Sequence, residues 1–405
     1  MRTLIEIFDS CQTENVIAAL RFLPEKIVFV GNDNLLTESR KRDVESFFEE
    51  RSMRFELEFK KVSRNDYERT TEVLNAVIDE NEDCCIDITG GTDLLLAASG
   101  AVSALRGVPM IRFNVRTGRF MPLSGDCSLP DEETAVLKID ELIALNGGAV
   151  IEDESGGLKW SLTKDFRSDI ETMWELCRKN CGLWNRQINV FGNFDTYGHM
   201  DESLNVRASL EHINGIGQDT VLNKRIMNGL TKAGLIKDLR EEGGILYMTY
   251  KNGQVHRCLT KAGNILELYV YMLLTETAEK SPGFYDDIDI GVCVDWDGEL
   301  HGSGATAYDT RNEVDIIVMR DAVPIFISCK NGEVRKEALY ELDTVADHFG
   351  GQYVKKVLLT TYISGSEDAR RYVLQRARDM RIDIIEGIDK LDKKELMRTL
   401  KARIK

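Results

Sequence analysis

Short apolar segments alternate with amphipathic segments along the first 145 residues. Segments such as "TLIEIF", "KIVFVG", "CCIDIT" and "PMIRFNV" have the length and composition of buried strands. Longer segments such as "TENVIAALRFL" and "DLLLAASGAVSAL" have apolar residues at helical spacing. Regular alternation of strands and helices predicts a parallel, doubly wound α/β sheet. Such sheets bind ligands at the carboxyl ends of their strands, so the loops that follow the strands are the expected binding site.

The pattern changes twice further along the chain, which predicts three domains: residues 1–145, 146–260 and 261–405. The second begins with an acidic, glycine-rich stretch and ends with a helix, a strand and a hairpin around Gly243 and Gly244, an order similar to that of a winged helix. This order of elements predicts that the second domain is a connector between the first and the third. The third predicts a mixed α/β domain with a central hairpin near Arg320 and Asp321, whose second strand would end at the turn dipeptide Asn331-Gly332.

The composition is that of an ordinary soluble protein, with 43% hydrophobic and 30% charged residues. No apolar segment reaches the roughly 18 residues that a membrane-spanning helix needs, and the N-terminus lacks the apolar region of a secretory signal. The nine cysteines contain no C-x-x-C pair, which indicates reduced thiols. We therefore expect a cytoplasmic protein that does not bind a membrane.

The net charge of −16 argues against a protein that coats nucleic acid non-specifically. It does not exclude an enzyme that acts on phosphodiesters, because a bound metal ion can supply positive charge. Any nucleic acid would have to be held by local basic patches. The segment 366–405 is one candidate, with 12 basic and 8 acidic residues, although a solvated helix face is the favoured explanation. The segment "NKRIMNGLTKAG" in the winged-helix-like part has only three basic residues, which argues against reading DNA.

Acidic and basic residues are expected on one face of the central hairpin. Side chains alternate between the two faces of a strand, so Glu313 and Asp315 share one face of "NEVDIIVM". Ser328 and Lys330 share one face of "VPIFISCK". The short turn between the two strands predicts antiparallel pairing, which would bring the carboxylates and the ammonium group to the same side.

Glu267 lies upstream in the otherwise apolar helix "NILELYVYMLL". A buried carboxylate needs a partner because leaving the charge unpaired is costly, and a divalent ion or Lys330 would provide one. Two carboxylates can hold Mg²⁺ or Mn²⁺, ions that prefer oxygen ligands. Such an ion stabilises charge on a phosphate and activates a bound water, while the lysine can orient that water. This chemistry predicts hydrolysis of a phosphodiester.

Three loops in the N-terminal part could bind an anionic ligand. They are "DSCQTEN" (Asp9–Asn15), "VGNDN" (Val30–Asn34) and "TGGT" (Thr89–Thr92), and each follows a predicted strand. Thr13 or Ser10 is a suitable helix N-cap, and the two glycines of "TGGT" would let a phosphate approach the backbone. Ordinary helix capping is the alternative explanation for each loop. The candidate ligand-binding residues are Asp9, Ser10, Gln12, Thr13, Gly31, Asn32, Thr89, Gly90, Gly91 and Thr92. The absence of G-x-G-x-x-G argues against a dinucleotide cofactor.

A helix Glu, a strand Asp and an x-Lys at the end of the next strand resemble the PD-(D/E)xK nuclease superfamily. The resemblance implies that Glu267 and Asp315 are metal ligands and Lys330 is the catalytic lysine, with Glu313 as a further candidate. The chain departs from the motif at Ser328, where the superfamily has an acid. The Ser328 hydroxyl or the backbone carbonyl of Cys329 would be a weaker metal ligand.

The N-terminal loops, and "TGGT" above all, resemble those of CARF domains, the CRISPR-associated Rossmann folds that sense cyclic oligoadenylates. Family members often have Lys after "TGGT", where this chain has Asp93. A CARF domain, a winged-helix-like connector and a PD-(D/E)xK domain in this order resemble the CARF nucleases of type III CRISPR antiviral defence. The resemblance implies a homodimer that binds cyclic tetra-adenylate and cleaves DNA, RNA or both.

A second interpretation is a CARF sensor whose winged helix regulates transcription in response to a cyclic oligoadenylate, with an inactive nuclease-like domain. Ser328 favours this interpretation, because it stands where the nuclease motif has an acid. The retained Glu267, Asp315 and Lys330 favour the nuclease.

Overall fold

The protein is described by a computed structural model. The structure describes residues 1–114, 117–125, 136–151, 160–215, 222–261, 263–299, 301, 310–363 and 365–404.

The N-terminal part forms a six-stranded sheet with four helices. The strands are β1 (Thr3–Ile7), β2 (Lys26–Asn32), β3 (Glu56–Val62), β4 (Cys84–Asp87), β5 (Met110–Asn114) and β6 (Arg119–Ser124), and the helices are α1 (Glu14–Phe22), α2 (Glu38–Glu50), α3 (Tyr67–Glu80) and α4 (Asp93–Arg106). The strand order is β3-β2-β1-β4-β5-β6. Only β6 is antiparallel to its neighbour. The predicted doubly wound sheet is confirmed.

The order of strands creates a crevice between β1 and β4. The chain runs outward from β1 to β3 on one side and then returns to β4 on the other. In open α/β sheets this reversal separates the loops that follow the two central strands and makes room for a ligand. The central strands β1, β2 and β4 are buried because both sheet faces are covered there.

The middle part contains a winged helix. Its elements are α5 (Ile139–Leu145), β7 (Ala149–Ile151), α6 (Lys164–Cys177), α7 (Cys181–Thr196), β8 (Asn205–Ser209), α8 (Leu210–Gly215), α9 (Lys224–Lys232), β9 (Ile236–Glu242), β10 (Ile245–Tyr250) and α10 (Gly253–Thr260). The sheet order β8-β10-β9, with both pairings antiparallel, is that of a winged helix in which α9 is the third helix. Gly243 and Gly244 have φ angles of 59° and 79°, which form the two-residue turn of the wing.

The C-terminal part contributes most of a third, mixed sheet. Its elements are α11 (Asn264–Lys280), β11 (Asp287–Asp295), β12 (Arg311–Arg320), β13 (Val323–Glu333), α12 (Lys336–Gly350), β14 (Lys355–Tyr362), α13 (Glu367–Asp379), β15 (Ile382–Glu386) and α14 (Lys393–Ile404). The order of this sheet is β15-β14-β13-β12-β11-β7. The predicted mixed α/β fold is confirmed.

The central hairpin has the predicted position but a longer second strand. Asp321 and Ala322 join β12 to β13 with φ angles of 51° and 63°, the conformation of a two-residue hairpin turn. The predicted end of the strand at Asn331-Gly332 is wrong, because β13 continues to Glu333.

Packing divides the chain into two compact units. The first comprises Met1–Glu152, Gly283–Phe326 and Asp343–Lys355, and the second comprises Asp153–Pro282, Ile327–Leu342 and Lys356–Lys405. The domain boundaries at about residues 145 and 260 stay a prediction. Within the described residues, no helix has both the length and the hydrophobicity that crossing a membrane requires.

Candidate nuclease and ligand-binding sites

Glu267 lies in the first turn of α11, where the helix dipole favours a negative charge. Its neighbours Leu266 and Leu268 are fully buried, whereas Glu267 itself is half-buried. A Cβ atom on Gly263 would lie 3.2 Å from Oε1 of Glu267, and Gly263 has a φ angle of 103°. A glycine at this position therefore leaves room for the carboxylate at the start of the helix.

Strand β12 presents two carboxylates on one face. Glu313 is exposed and Asp315 is half-buried, whereas the intervening Val314 and the following Ile316 are buried. Glu313 is opposite Cys293 on the neighbouring strand β11. The alternation predicted for this strand is confirmed.

Strand β13 becomes more accessible at Lys330. Ile327, Ser328 and Cys329 are all buried, whereas Lys330 is half-buried. Both faces of the strand are thus covered just before the lysine. The buried Ser328 hydroxyl occupies the position at which the superfamily motif has an acid.

The backbone after Lys330 is held by an amide clamp that sequence reasoning missed. The side chain of Asn331 donates to Oδ1 of Asn185 at 2.9 Å and to the Cys177 sulfur at 3.2 Å. The side-chain nitrogen of Asn185 donates back to the Asn331 carbonyl at 2.5 Å. The Thr360 hydroxyl donates to the Gly332 carbonyl at 3.1 Å. These bonds keep residues 331 and 332 in the strand and fix the main chain that carries Lys330.

The donor atoms assigned to a metal from the sequence are all oxygens. They come from Glu267, Asp315, the Ser328 hydroxyl and the Cys329 carbonyl. In proteins Mg²⁺ is usually held by one or two carboxylates together with waters, so this donor set suits such an ion. Within the described part of the chain, no group of three or more His, Cys, Asp or Glu residues could hold a metal ion. The assignment of these four ligands, and of Glu313 and Lys330 to catalysis, stays a prediction.

In the N-terminal sheet, Asp9 joins the loop after β1 to the loop after β4. Its Oδ2 accepts a hydrogen bond from the Gly91 backbone N–H at 2.7 Å. Its Oδ1 accepts from the Cys11 N–H and from the Ser10 hydroxyl, both at 3.0 Å. The two loops that flank the crevice are therefore linked by a single carboxylate.

The glycines of these loops are required by packing. A Cβ atom on Gly90 would lie 2.5 Å from the Cβ of Asp9, and one on Gly31 would lie 2.7 Å from the Cβ of Phe8. A Cβ atom on Gly91, which has a φ angle of 112°, would overlap Cγ2 of Ile7. A side chain at any of these positions would displace the loops.

The two threonines of the "TGGT" loop (Thr89–Thr92) bond to neighbouring strands and loops. Asn32, at the end of β2, donates to the Thr92 hydroxyl at 3.2 Å, although Thr92 precedes α4 and could have capped it. The Thr89 hydroxyl donates to Asp87 at 2.6 Å and accepts from the Phe113 N–H at 2.8 Å. The loops after β1, β2 and β4 are thus tied together.

The expected N-cap role of the first loop is wrong. Thr13 precedes α1 with φ and ψ of −58° and −39° and makes no side-chain cap bond. A capping residue needs an extended backbone, and Thr13 is already helical. Ser10 bonds to Asp9, and Gln12 donates to the Arg40 carbonyl at 3.1 Å. These side chains order the loop, and the first N–H groups of α1 donate to the backbone carbonyls of Cys11, Gln12 and Thr13.

Two buried carboxyl groups lie beside the "TGGT" loop (Thr89–Thr92). Glu6 and Asp87 are opposite each other on β1 and β4, and both are fully buried. Burial raises the pKa of Asp87 to about 7, although its bonds to Thr89 lower it in part. Burial, and then the nearby charges of Asp87 and Glu14, raise the pKa of Glu6 well above its ordinary value. Neither oxygen of Glu6 has a hydrogen-bond partner in the described structure.

This pair should make the stability of the N-terminal sheet fall as the pH rises. The Asp87 carboxyl ionises at an ordinary value of 3.8 in the unfolded chain and at about 7 in the folded chain. Between these values unfolding releases a proton, so the free energy of unfolding decreases with increasing pH.

We expect Glu6→Gln to raise the melting temperature most at the alkaline end of this range, because a neutral amide removes one ionisation and can donate a hydrogen bond to Asp87. Thermal unfolding followed by circular dichroism across this range, with Glu56→Gln as an exposed control, measures both effects. Equal melting temperatures for Glu6→Gln and wild type at every pH would contradict this explanation.

In the first unit the loops that follow β1 and β4 adjoin the hairpin turn of the third sheet. Thr13 and Thr89 line a cavity of about 20 Å³ together with Ala322 and Val323. Arg112 donates to the Tyr353 hydroxyl at 3.3 Å. The N-terminal loops thus lie next to the turn that joins β12 to β13.

A Rossmann-like sheet with linked loops, a winged helix and a mixed sheet with a central hairpin follow one another along the chain, in the order expected from the resemblance to the CARF nucleases. Residues 254–404 match the family model described as "Card1-like, endonuclease domain". No curated protein sequence matches the chain.

Two solved structures resemble nearly the whole chain. Protein VC1899 from Vibrio cholerae has a TM-score of 0.72 at 16% identity, covering 99% of this chain and 97% of that one. Can2 from Sulfobacillus thermosulfidooxidans, solved in complex with cyclic tetra-adenylate, has a TM-score of 0.68 at 17% identity, covering 100% of this chain and 99% of that one. The resemblance inferred from the sequence is confirmed.

Proposed function

We propose that the protein is a metal-dependent endonuclease that hydrolyses phosphodiester bonds in DNA, RNA or both. We further propose that it forms a homodimer and is activated by cyclic tetra-adenylate at its CARF part in antiviral CRISPR defence. One observation carries the nuclease proposal. The segment that matches the endonuclease family, residues 254–404, includes every residue assigned to the catalytic site from the sequence.

The geometry of a hairpin supports a single catalytic site. In a regular hairpin with a two-residue turn, the residues flanking the turn, Arg320 and Val323, are opposite each other. Counting away from the turn, we expect Asp315 opposite Ser328 and Glu313 opposite Lys330. These four side chains would share one face of the hairpin, because residues two apart in a strand point the same way.

The proposed residues would divide the chemistry between them. Glu267 and Asp315 would hold Mg²⁺ or Mn²⁺, with the Ser328 hydroxyl or the Cys329 carbonyl as a weaker oxygen donor. When bound, the ion would stabilise charge on the phosphate and lower the pKa of a water. Lys330 would orient the attacking water and balance the negative charge that develops on the phosphate. The Asn185–Asn331 clamp supports this role, since it holds the main chain beside the lysine.

The proposed ligand would occupy the crevice between β1 and β4. Support comes from the three linked loops and from the fold shared with Can2, whose structure contains cyclic tetra-adenylate. None of the ten candidate residues is basic, and Asp93 stands where relatives often have lysine. Phosphates would therefore be bound by backbone N–H groups and hydroxyls. The contact of these loops with the β12–β13 turn offers a route from the ligand to the catalytic hairpin.

A cleavage assay separates this proposal from the alternative, a transcription regulator with an inactive nuclease-like domain. Plasmid DNA and single-stranded RNA are incubated with Mn²⁺, with and without cyclic tetra-adenylate, and EDTA serves as the control. The nuclease proposal predicts cleavage that needs the ion and is much faster with the ligand than without it. Absence of cleavage under every condition, together with ligand-dependent binding to a specific DNA sequence, would favour the regulator.

A further inference from the structure

A basic groove lies on the winged helix. The groove has a volume of about 610 Å³ and is formed by α9 and by the corner at which α6 ends and α7 begins. Four cationic side chains line it: Lys179, Lys224, Arg225 and Lys232. All four are exposed, and among the described residues that line the groove none is acidic.

Within the part of the chain that the structure describes, these four side chains are not neutralised by ion pairs. None of them takes part in any ion pair found in the described structure, and the chain as a whole has a net charge of −16. The C-terminal segment 366–405 differs in part, because Arg370 is paired with Glu386 and Arg371 with Glu367. Like charges around one groove repel each other, and an anion bound there would relieve that repulsion.

The fold positions the charges to face outward from a rigid base. On α9 the apolar residues Ile226, Met227 and Leu230 are buried, so the opposite face with the cations is exposed. A Cβ atom on Gly229 would lie 2.8 Å from Cδ2 of Leu176, so α9 packs closely against α6 at this point. Lys179 lies at the corner between α6 and α7. The sequence of α9 alone therefore contains only three of the four cations of the groove.

We propose that this groove binds the sugar–phosphate backbone of the nucleic acid on which the enzyme acts. The inference rests on the proposed nuclease function and adds the place where the substrate docks outside the catalytic hairpin. Lys and Arg contacts to phosphates position a nucleic acid without reading its sequence. The tip of the wing offers no second basic contact, because its residues Glu241 and Glu242 are acidic and exposed. The groove therefore provides sequence-independent docking.

Binding without cleavage tests the proposal. The full-length protein in EDTA is titrated into fluorescein-labelled single-stranded DNA, duplex DNA and single-stranded RNA, and fluorescence anisotropy is measured between about 50 and 200 mM salt. The groove variant is K179E/R225E/K232E. The matched control R42E/R54E/R64E reverses three exposed arginines elsewhere and changes the net charge equally. A charge-neutral variant, K179Q/R225Q/K232Q, replaces the first if its circular dichroism spectrum is altered.

We expect the groove variant to bind at least one of the three oligonucleotides about tenfold or more weakly than the control. Its plot of log affinity against log salt should be flatter by about 2 to 3 units, since each lost phosphate contact removes about 0.7 to 0.9. Equal affinity of the groove and control variants would overturn the proposal. So would displacement of the oligonucleotides by polyglutamate at equal charge concentration, which would indicate a site for acidic protein segments.

A small substrate keeps this test separate from the nuclease proposal. Hydrolysis of bis(p-nitrophenyl) phosphate with Mn²⁺ and cyclic tetra-adenylate reports on the catalytic site without a docking surface. Wild type and the groove variant should hydrolyse it equally. Absence of hydrolysis by wild type would count against the nuclease, while the anisotropy result would still decide the groove. A groove variant that hydrolyses this substrate much more slowly than wild type would contradict a role limited to docking.

Discussion

Replacement of Lys330 by alanine is expected to lower the rate of nucleic-acid cleavage by about a hundredfold to ten-thousandfold. The ammonium group would no longer orient the water or balance the charge on the phosphate, while the half-buried position keeps the cost in stability small. The measurement is cleavage of plasmid DNA and of RNA with Mn²⁺ and cyclic tetra-adenylate. Lys237→Ala, which removes an exposed strand lysine in the winged helix, is the matched control and should cleave at the wild-type rate.

Variants of the two carboxylates, Glu267 and Asp315, should lose activity for a different reason. Glu267→Gln and Asp315→Asn would each remove one of the two proposed carboxylate ligands of the metal, so the activity of these variants should recover in part at high Mn²⁺ concentration. Activity of Lys330→Ala should not recover, because the ion cannot replace the ammonium group. Wild-type rates in all three variants would show that the site lies elsewhere.

Gly91→Ala is expected to abolish the stimulation of cleavage by cyclic tetra-adenylate. The new methyl group would overlap Cγ2 of Ile7 at a φ angle of 112°, where an L-residue is strained. The loop would move, and its bond to Asp9 at 2.7 Å would be lost. Basal cleavage without the ligand should stay unchanged, because the substitution leaves β12 and β13 intact. The measurement is the ratio of cleavage rates with and without the ligand, together with the shift in melting temperature on adding the ligand.

Gly100→Ala provides the control for this substitution. Gly100 lies in α4, which follows the same loop, and no atom lies within 4 Å of its added Cβ. Alanine there should be tolerated and should favour the helix by about 1 kcal/mol. A ligand response in Gly91→Ala equal to that of Gly100→Ala would contradict a binding site at this loop.

The sequence predicts the two α/β regions well because their strands are buried on both faces. Such strands appear as continuous apolar segments, and β1 and β2 are clear cases. The local sequence pattern does not predict α7 and β8. The segment of α7 mixes asparagines and glycines among its apolar residues, and β8 has only five residues. Packing of the winged helix, which cannot be seen in a local pattern, stabilises both.

The candidate sites show the same limit. The alternation of Glu313, Val314 and Asp315 follows from the geometry of a strand and could be predicted. The continuation of β13 beyond Lys330 could not be predicted, because Asn331 is held by Asn185, which is 146 residues away in sequence. Thr13 was expected to cap α1 from its residue type alone, but its backbone conformation excludes that role.

The central claim is that Glu267, Asp315 and Lys330 meet at one divalent ion. Crystals grown with Mn²⁺ and cyclic tetra-adenylate allow a direct test by anomalous diffraction. We predict a manganese peak about 2.1 Å from carboxylate oxygens of both Glu267 and Asp315, with the Lys330 ammonium group on the same side of the hairpin. A manganese peak at other residues, or these three side chains in separate environments, would contradict the claim.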